Sequence, residues 1–532
     1  MSRSSRFLVV LLVCLTLGAA ALGTSGSLAS SGPRAPQADG GAQPVAGASE
    51  PREPNVVMIL VDDLDWSLMP YLPHVNELIR DQGASFPNFY TEQSSCCPSR
   101  ASILSGEYAH NHGVIGNVWP EGGYDRWRET REGKDLPVWL EQAGWRSAML
   151  GKYLNEYPFH PGIDLTREEK DARKAHVPDG WQAWSAVVQG NAYAQDHYKL
   201  NNDGVVDTDF RETYLDTWLG ERMLSLVGGA DGFDFDKGGQ FVYYASYSPH
   251  TPYAYPPRFA DTFTDETYPR TPDFDEADVS DKFGLTATRP PLTAAKTAEI
   301  DEVFRKRIRS LQVLDDNVAR LVAQLDAQGD LDDTYIMFTS DNGYLMGNHR
   351  RDIGKYNQFQ GTVNVPFFVR GPGIEPGTEI DDLAGNIDIA PTIADIAGAE
   401  APEVDGVSLL DRLHGGPPLD RRFFLLGRAL TPTQAQSATG LEEPTEDYVE
   451  TDRSALLNDF TGVTNGRFKL VRYTHIPHEE LYDLANDPYE LDNLLRDDQA
   501  SYDAMTDQGR GIVDGLRRAL DRLTTCAGDT CR

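Results

Sequence analysis

The chain has 532 residues, 40% hydrophobic and 24% charged, enough to bury a large core and to form one large domain with a smaller one. Its 82 acidic residues outnumber 48 basic ones, for a formal net charge of -34. That excess argues against a general nucleic-acid binder and against adherence to anionic membranes, and an anionic substrate would need a local basic pocket.

Arg3 and Arg6 precede the apolar run FLVVLLVCLTL at 7–17, and small residues follow, so residues 1–29 read as an export signal. The run is too short for a membrane span, and Cys14 inside it leaves with the signal. Residues 30–54, rich in Gly, Pro, Ala and Ser, read as a disordered linker. No other stretch is long and apolar enough to cross a bilayer, so a secreted protein without stable membrane association is expected.

NVVMILVDDLD at 55–65 is a continuous β-branched and apolar run ending in acids, the pattern of a buried parallel strand. WRSAMLGKY (145–153), FVYYASYSPH (241–250) and TYIMFTSDNG (334–343) repeat the scheme. Among the intervening segments, Ile308, Leu311, Leu314, Val318, Leu321 and Leu325 recur at helical spacing. Strands alternating with helices predict an α/β domain over 55–415, built on a large, mostly parallel sheet. Ligands in such sheets bind beyond the carboxyl ends of the strands, where Asp62, Asp63, Lys152, His250, Asp341 and Asn342 all fall. Any one of them is an ordinary strand-terminating residue, but all of them at one edge mark a site.

After residue 415 the texture changes. GRFKLVRY (466–473) and the segment from 479 read as strand and turn, and 508–523 as a closing helix. Residues 416–532 are expected to form a C-terminal α+β subdomain, with the acidic stretch 430–458 as a long loop. Four cysteines remain once the signal is gone. Cys526 and Cys531 close a short loop and suit an oxidising compartment, so a disulfide is expected there. Cys96 and Cys97 are adjacent, a poor start for a disulfide and a poor zinc knuckle.

The run Cys96-Cys97-Pro98-Ser99-Arg100 resembles the Cys-x-Pro-Ser-Arg signature of the formylglycine-dependent sulfatases. The resemblance extends through VDDLD, GKYLNEY, HTPY, SDNGY, VPFFVRGPG and LYDLANDPYELDNL, and is greatest to the N-acetylglucosamine-6-sulfatase branch. It implies an alkaline-phosphatase-like fold and hydrolysis of sulfate monoesters, with sugar O-sulfates such as N-acetylglucosamine 6-sulfate as leading substrates. It also implies that a formylglycine-generating enzyme oxidises Cys96 to formylglycine (3-oxoalanine), leaving Cys97 an ordinary neighbour.

Three carboxylates converging at about 4 Å would repel by roughly 4 kcal/mol per pair at an effective dielectric of 20, a cost that a divalent cation removes. Asp62, Asp63, Asp341 and Asn342, with the residue at 96, are the expected ligands, and oxygen donors favour Ca²⁺ or Mg²⁺. The resemblance points to Ca²⁺. It assigns Arg100 to holding the formylglycine, Lys152 and Lys355 to the sulfate oxygens, and His250 to the leaving oxygen. Many relatives carry a histidine two residues after the first lysine. Here that position is Leu154, so Asn155, His112 or His349 must take the role, or none does. Arg350 and Arg351, just after the ligands, are expected to help draw in the anion, Arg350 as a substrate contact. The rival readings are a phosphodiesterase or phosphonate hydrolase of the same superfamily, and a non-catalytic glycan-binding relative.

Overall fold

Strands β1 (Asn55–Val61), β2 (Arg146–Gly151), β3 (Ala183–Asn191), β4 (Gln240–Ala245) and β5 (Thr334–Ser340) run parallel in the order β5-β1-β4-β2-β3. A sixth, β6 (Phe367–Arg370), lies antiparallel beside β5, and Asp196–Asn202 pairs antiparallel with β3. With three further two-residue strands, two of them at the edges, this makes a ten-stranded, mostly parallel sheet. These are the features of a computed structural model that describes residues 52–284, 286–428, 459–474 and 476–532. The export signal, residues 30–51 of the linker and the acidic stretch 430–458 lie outside the described residues. Among those described, no helix is long and apolar enough to cross a membrane.

The uniform apolarity of β1 follows from its position between two layers. Val56, Met58 and Leu60 pack with Leu104, Leu140 and Ile393 on one face, and Val57, Ile59 and Val61 with Leu219, Leu311 and Leu321 on the other. The first layer includes helix α1 (Cys96–Ser105), and the second includes α2 (Leu215–Val227) and α3 (Ala294–Gln328). In α3 the predicted stripe from Ile308 to Leu325 is fully buried, each such side chain contributing roughly 1.5–3 kcal/mol. The helix is capped by Thr293, whose side chain accepts from the Lys296 amide, and stopped by Gly329 at φ 82°.

The C-terminal region forms a second sheet, with Phe424–Arg428, Phe460–Thr464, Phe468–Tyr473 and Glu479–Asp483 antiparallel in that order. Helix α4 (Asp507–Leu523) covers it with Val513, Leu516 and Leu520. The expected disulfide between Cys526 and Cys531 is present just beyond that helix.

Candidate active site

Main-chain hydrogen bonds continue past the strand ends and set the register of the site. The Asp341 amide donates to Val61 O (3.1 Å), the Lys152 amide to Ala245 O (2.9 Å) and the Asp62 amide to Ser248 O (3.1 Å). Asp62, Lys152 and Asp341, on three different strands, therefore emerge side by side. Asp63 bends away in the left-handed region at φ 69°.

Helix α1 brings the other half. Pro98 falls in its first turn, where a backbone N–H has no intrahelical partner to lose. Cys96 and Arg100 are one turn apart and share the face toward the strand ends, whereas Cys97 packs into the sheet core. This spacing accounts for the adjacent thiols: one belongs to the site and one to the packing. Cys96 Sγ lies 3.5 Å from Asp62 Oδ1 and 2.7 Å from Lys355 Nζ.

Each acid there faces a cation. Lys152 Nζ donates to Asp62 Oδ2 (2.6 Å), Lys355 Nζ to Asp63 Oδ1 (2.6 Å) and Arg100 Nε to Asp341 Oδ2 (2.8 Å). Arg100 Nη1 also donates to Lys152 O at 2.7 Å, tying helix to strand end. His250 Nδ1 donates to Thr251 O (2.9 Å), which presents Nε2 to the cluster, 3.7 Å from Asp63 Oδ2. All these side chains are buried.

The electrostatics follow from that burial. Desolvation raises the Asp62 carboxyl, but Lys152, His250 and Arg100 outweigh it and hold the group below its usual range. Burial works against charge on Lys152 and Lys355, yet Asp62 and Asp63 respectively, helped by Cys96, keep both well above the ordinary lysine value. Burial pushes the Cys96 thiol well up despite the two lysines, so as a thiol it is protonated and a poor nucleophile.

One oxygen is left over. Asn342 Nδ2 donates to Asp63 Oδ1 (2.7 Å), while its Oδ1 is buried without a hydrogen bond. Ligand atoms of Asp62, Asp63, Cys96 and His250 lie within 4.8 Å of one another, a spacing that one ion can bridge. Asp341 stands at the rim of this group, held by Arg100 and by the Asp63 amide (3.2 Å).

Three sequence expectations fall elsewhere. Arg350 donates to Glu276 O (2.7 Å), Ala277 O (2.7 Å) and Arg289 O (3.1 Å), and Arg351 to Thr286 Oγ1 (2.8 Å). Both guanidiniums bolt down the 276–289 segment, so the expected anion funnel is corrected to a structural clamp. Arg350→Ala is expected to lower unfolding free energy by about 1.5–3 kcal/mol, read by denaturant melts, before it changes KM for a small sulfate ester. His112 bonds Ser102 Oγ (3.1 Å) and accepts from the Val114 amide (3.1 Å), and burial depresses its pKa to about 3. His349 pairs with Glu276 (2.7 Å) and stacks on Phe359, and burial depresses its pKa to about 4. Both imidazoles are thus engaged in packing. Asn155 is buried with Oδ1 unsatisfied, and Leu154 joins the core.

Sequence reading also missed how Lys355 is held. Lys469 donates to Gln358 O (2.5 Å), and Gln358 Nε2 to Glu480 Oε2 (2.9 Å) and Tyr473 OH (2.8 Å). The C-terminal sheet thereby braces the segment that presents Lys355, a long-range role with no local sequence signal.

The sulfatase family model matches residues 54–399. The chain belongs to the sulfatase family. It is a sulfuric ester hydrolase of the branch that includes the N-acetylglucosamine-6-sulfatases. The goat enzyme of that name is 32% identical over 515 residues, covering 93% of this chain and 87% of the relative. The human one is 32% identical over 508 residues, covering 91% and 87%. A Drosophila melanogaster extracellular sulfatase SULF-1 homolog is 31% identical over 366 residues, covering 68% of this sulfatase and 31% of the relative. Among solved structures, one in complex with its substrate D-glucosamine-2-N,6-O-disulfate matches at TM-score 0.67 and 21% identity, covering 88% of this chain and 98% of that one. A phosphonate monoester hydrolase of Agrobacterium radiobacter matches at TM-score 0.63 and 21% identity, covering 87% and 95%. At those identities the likeness is one of fold, an alkaline-phosphatase-like sheet with a smaller C-terminal domain.

Proposed function

We propose that this sulfatase hydrolyses sulfate monoesters of sugars, the 6-sulfate of N-acetylglucosamine first among them, with formylglycine made from Cys96 and a divalent cation. The observation that carries the reading is the position of Cys96 Sγ, buried on a helix N-terminus between Asp62 and Lys355. The names of the curated relatives support the sugar.

A hydrated aldehyde at position 96 supplies two geminal hydroxyls, one to attack sulfur and one to expel sulfate. The cation, Ca²⁺ or Mg²⁺, supplies positive charge that relieves carboxylate repulsion and polarises the reacting group. Asp62, Asp63, Asp341 and Asn342, with residue 96, would hold it; of these Asp62, Asp63 and Cys96 bring ligand atoms within 4.8 Å of one another, with His250 as the fourth member of that group, and the buried Asn342 Oδ1 makes no hydrogen bond. Lys152 and Lys355 bind the anionic oxygens, and their fixed ammonium groups need no reorganisation as charge develops. Arg100 fixes the helix to Asp341 and Lys152 O. His250, oriented by its Nδ1–H to Thr251 O, donates to the leaving sugar oxygen from Nε2 as an imidazolium and is left as the neutral Nδ1–H tautomer.

The maturation partner is a formylglycine-generating enzyme, and the setting is secreted, which the Cys526–Cys531 disulfide supports. The test is protein co-expressed with such an enzyme. Mass spectrometry is expected to show sulfur lost at Cys96 and retained at Cys97, and the modified enzyme to release sulfate from N-acetylglucosamine 6-sulfate. Full activity with an intact thiol at Cys96 would overturn the mechanism.

A further inference from the structure

Asp216 is a buried carboxylate with no part in the chemistry above, and it lies in the first turn of α2. Its Oδ2 accepts from Ser246 Oγ (2.8 Å) and Ser248 Oγ (2.6 Å), both on the segment that runs from β4 to His250. The Ser248 amide closes the turn between them by donating to Ser246 Oγ (2.9 Å). Just before the helix, Tyr214 OH donates to Ala254 O (2.8 Å), beyond His250. The start of α2 thus holds the His250 segment on both sides of the imidazole.

A third element joins the same carboxylate. Gln195 Nε2 donates to Ser248 Oγ (2.7 Å), while its Oε1 accepts from the Asp216 amide (3.0 Å). Gln195 follows Tyr193 by two residues, and the Tyr193 ring lies against the His250 ring, centre to centre 4.5 Å. The same ring is 5.2 Å from Lys152 Nζ. The imidazole therefore has one support through its own main chain and one through its ring face, and both are fastened at Asp216. A carboxylate oxygen that takes two hydroxyls fixes two rotors at once, and burial away from competing water strengthens each bond.

We propose that Asp216 is a positioning residue for proton transfer to the leaving oxygen, acting through Ser248 and Gln195 to fix the approach of His250. It touches neither the substrate nor the reacting atoms. The inference rests on the role given to His250 above. General acid catalysis contributes roughly 10²–10⁴-fold, and a misplacement of about 1 Å can cost about a hundredfold, so loss of this clamp reaches kcat rather than KM.

The test uses matured enzyme with N-acetylglucosamine 6-sulfate and with nitrophenyl sulfate, whose leaving nitrophenolate is stable without a proton. Asp216→Ala is expected to lower kcat on the sugar sulfate about 10–100-fold, with KM and the nitrophenyl kcat each within about threefold of wild type. Asp216→Asn keeps an oxygen for both hydroxyls and is expected to return the sugar kcat to within about fivefold of wild type. In a His250→Ala background, Asp216→Ala is expected to cost less than about twofold more, because the group it orients is gone. Ser248→Ala and Tyr214→Phe carry the same comparison should Asp216→Ala fail to fold, each with a smaller loss confined to the sugar sulfate. Ser248 O also receives the Asp62 amide, so equal losses on the two esters would mean damage to the carboxylate cluster and would overturn the assignment. Losses that multiply in the double variant would overturn it too. Wild-type kcat on the sugar sulfate in His250→Ala would instead overturn the role given to His250, and the positioning inference with it.

Discussion

Cys96→Ala is expected to cut sulfate release from N-acetylglucosamine 6-sulfate by roughly 10³–10⁶-fold, the range seen when a covalent nucleophile is removed from an otherwise intact site. The neighbouring substitution Cys97→Ala is expected to leave kcat within a few-fold while lowering the melting temperature. The contrast comes from helix geometry. Cys96 shares the site face of α1 with Arg100, whereas Cys97 packs in the sheet core and burial lifts its thiol to about 12. Cys97→Ala deletes one buried sulfur, a large-to-small core change with its cavity cost. Cys96→Ala leaves Lys355 with Asp63 and Lys152 with Asp62, so the charged framework survives and the lost activity reports on chemistry rather than folding. Equal kinetic damage from both substitutions would mean that position 96 is structural.

The two thiols also show what was legible in the sequence. Strands sandwiched between two helical layers must be apolar throughout, which is why β1, β4 and β5 could be read directly. The long stripe of α3 was readable for the corresponding reason at helical period. The hairpin from β3 to Asp196–Asn202 was not, because its tip is exposed and its register shifts between Val187 and Gln189 break the alternation. Site residues at strand ends were legible because parallel sheets place ligands there. Cys96 and Lys355, on a helix start and a loop, came only from the resemblance to the sulfatases. Tyr193 reads as one aromatic among many until the fold sets it against Lys152. Arg350 and Arg351 misled because closeness in sequence to Asp341 says nothing about direction. His349 (φ 52°) and Arg350 (φ 56°) are both left-handed and reverse the chain, sending the guanidiniums toward 276–289.

Exhaustive chelation is expected to abolish sulfate release and Ca²⁺ to restore it, and Asp63→Asn is the variant that ties this effect to the carboxylate cluster. Asp63 is the hub, accepting from Lys355 Nζ (2.6 Å) and Asn342 Nδ2 (2.7 Å) with His250 Nε2 at 3.7 Å. It sits at φ 69°, a conformation asparagine tolerates and alanine does not, so Asp63→Asn removes charge without adding backbone strain. Without a metal, the variant leaves the buried Lys355 short of its partner and is expected to be less stable by about 3–5 kcal/mol. In wild type, Ca²⁺ at a hundred times its dissociation constant adds about 2.7 kcal/mol to unfolding free energy by mass action. Thermal melts with and without Ca²⁺ read that shift independently of turnover. In Asp63→Asn the shift is expected to vanish at the same Ca²⁺ concentration. Asn342→Ala, which removes the unused Oδ1 without changing net charge, is expected to reduce it. A full Ca²⁺ shift in both variants would place the ion elsewhere. No shift in wild type, together with activity that survives chelation, would leave the three carboxylates balanced by Arg100, Lys152 and Lys355 alone.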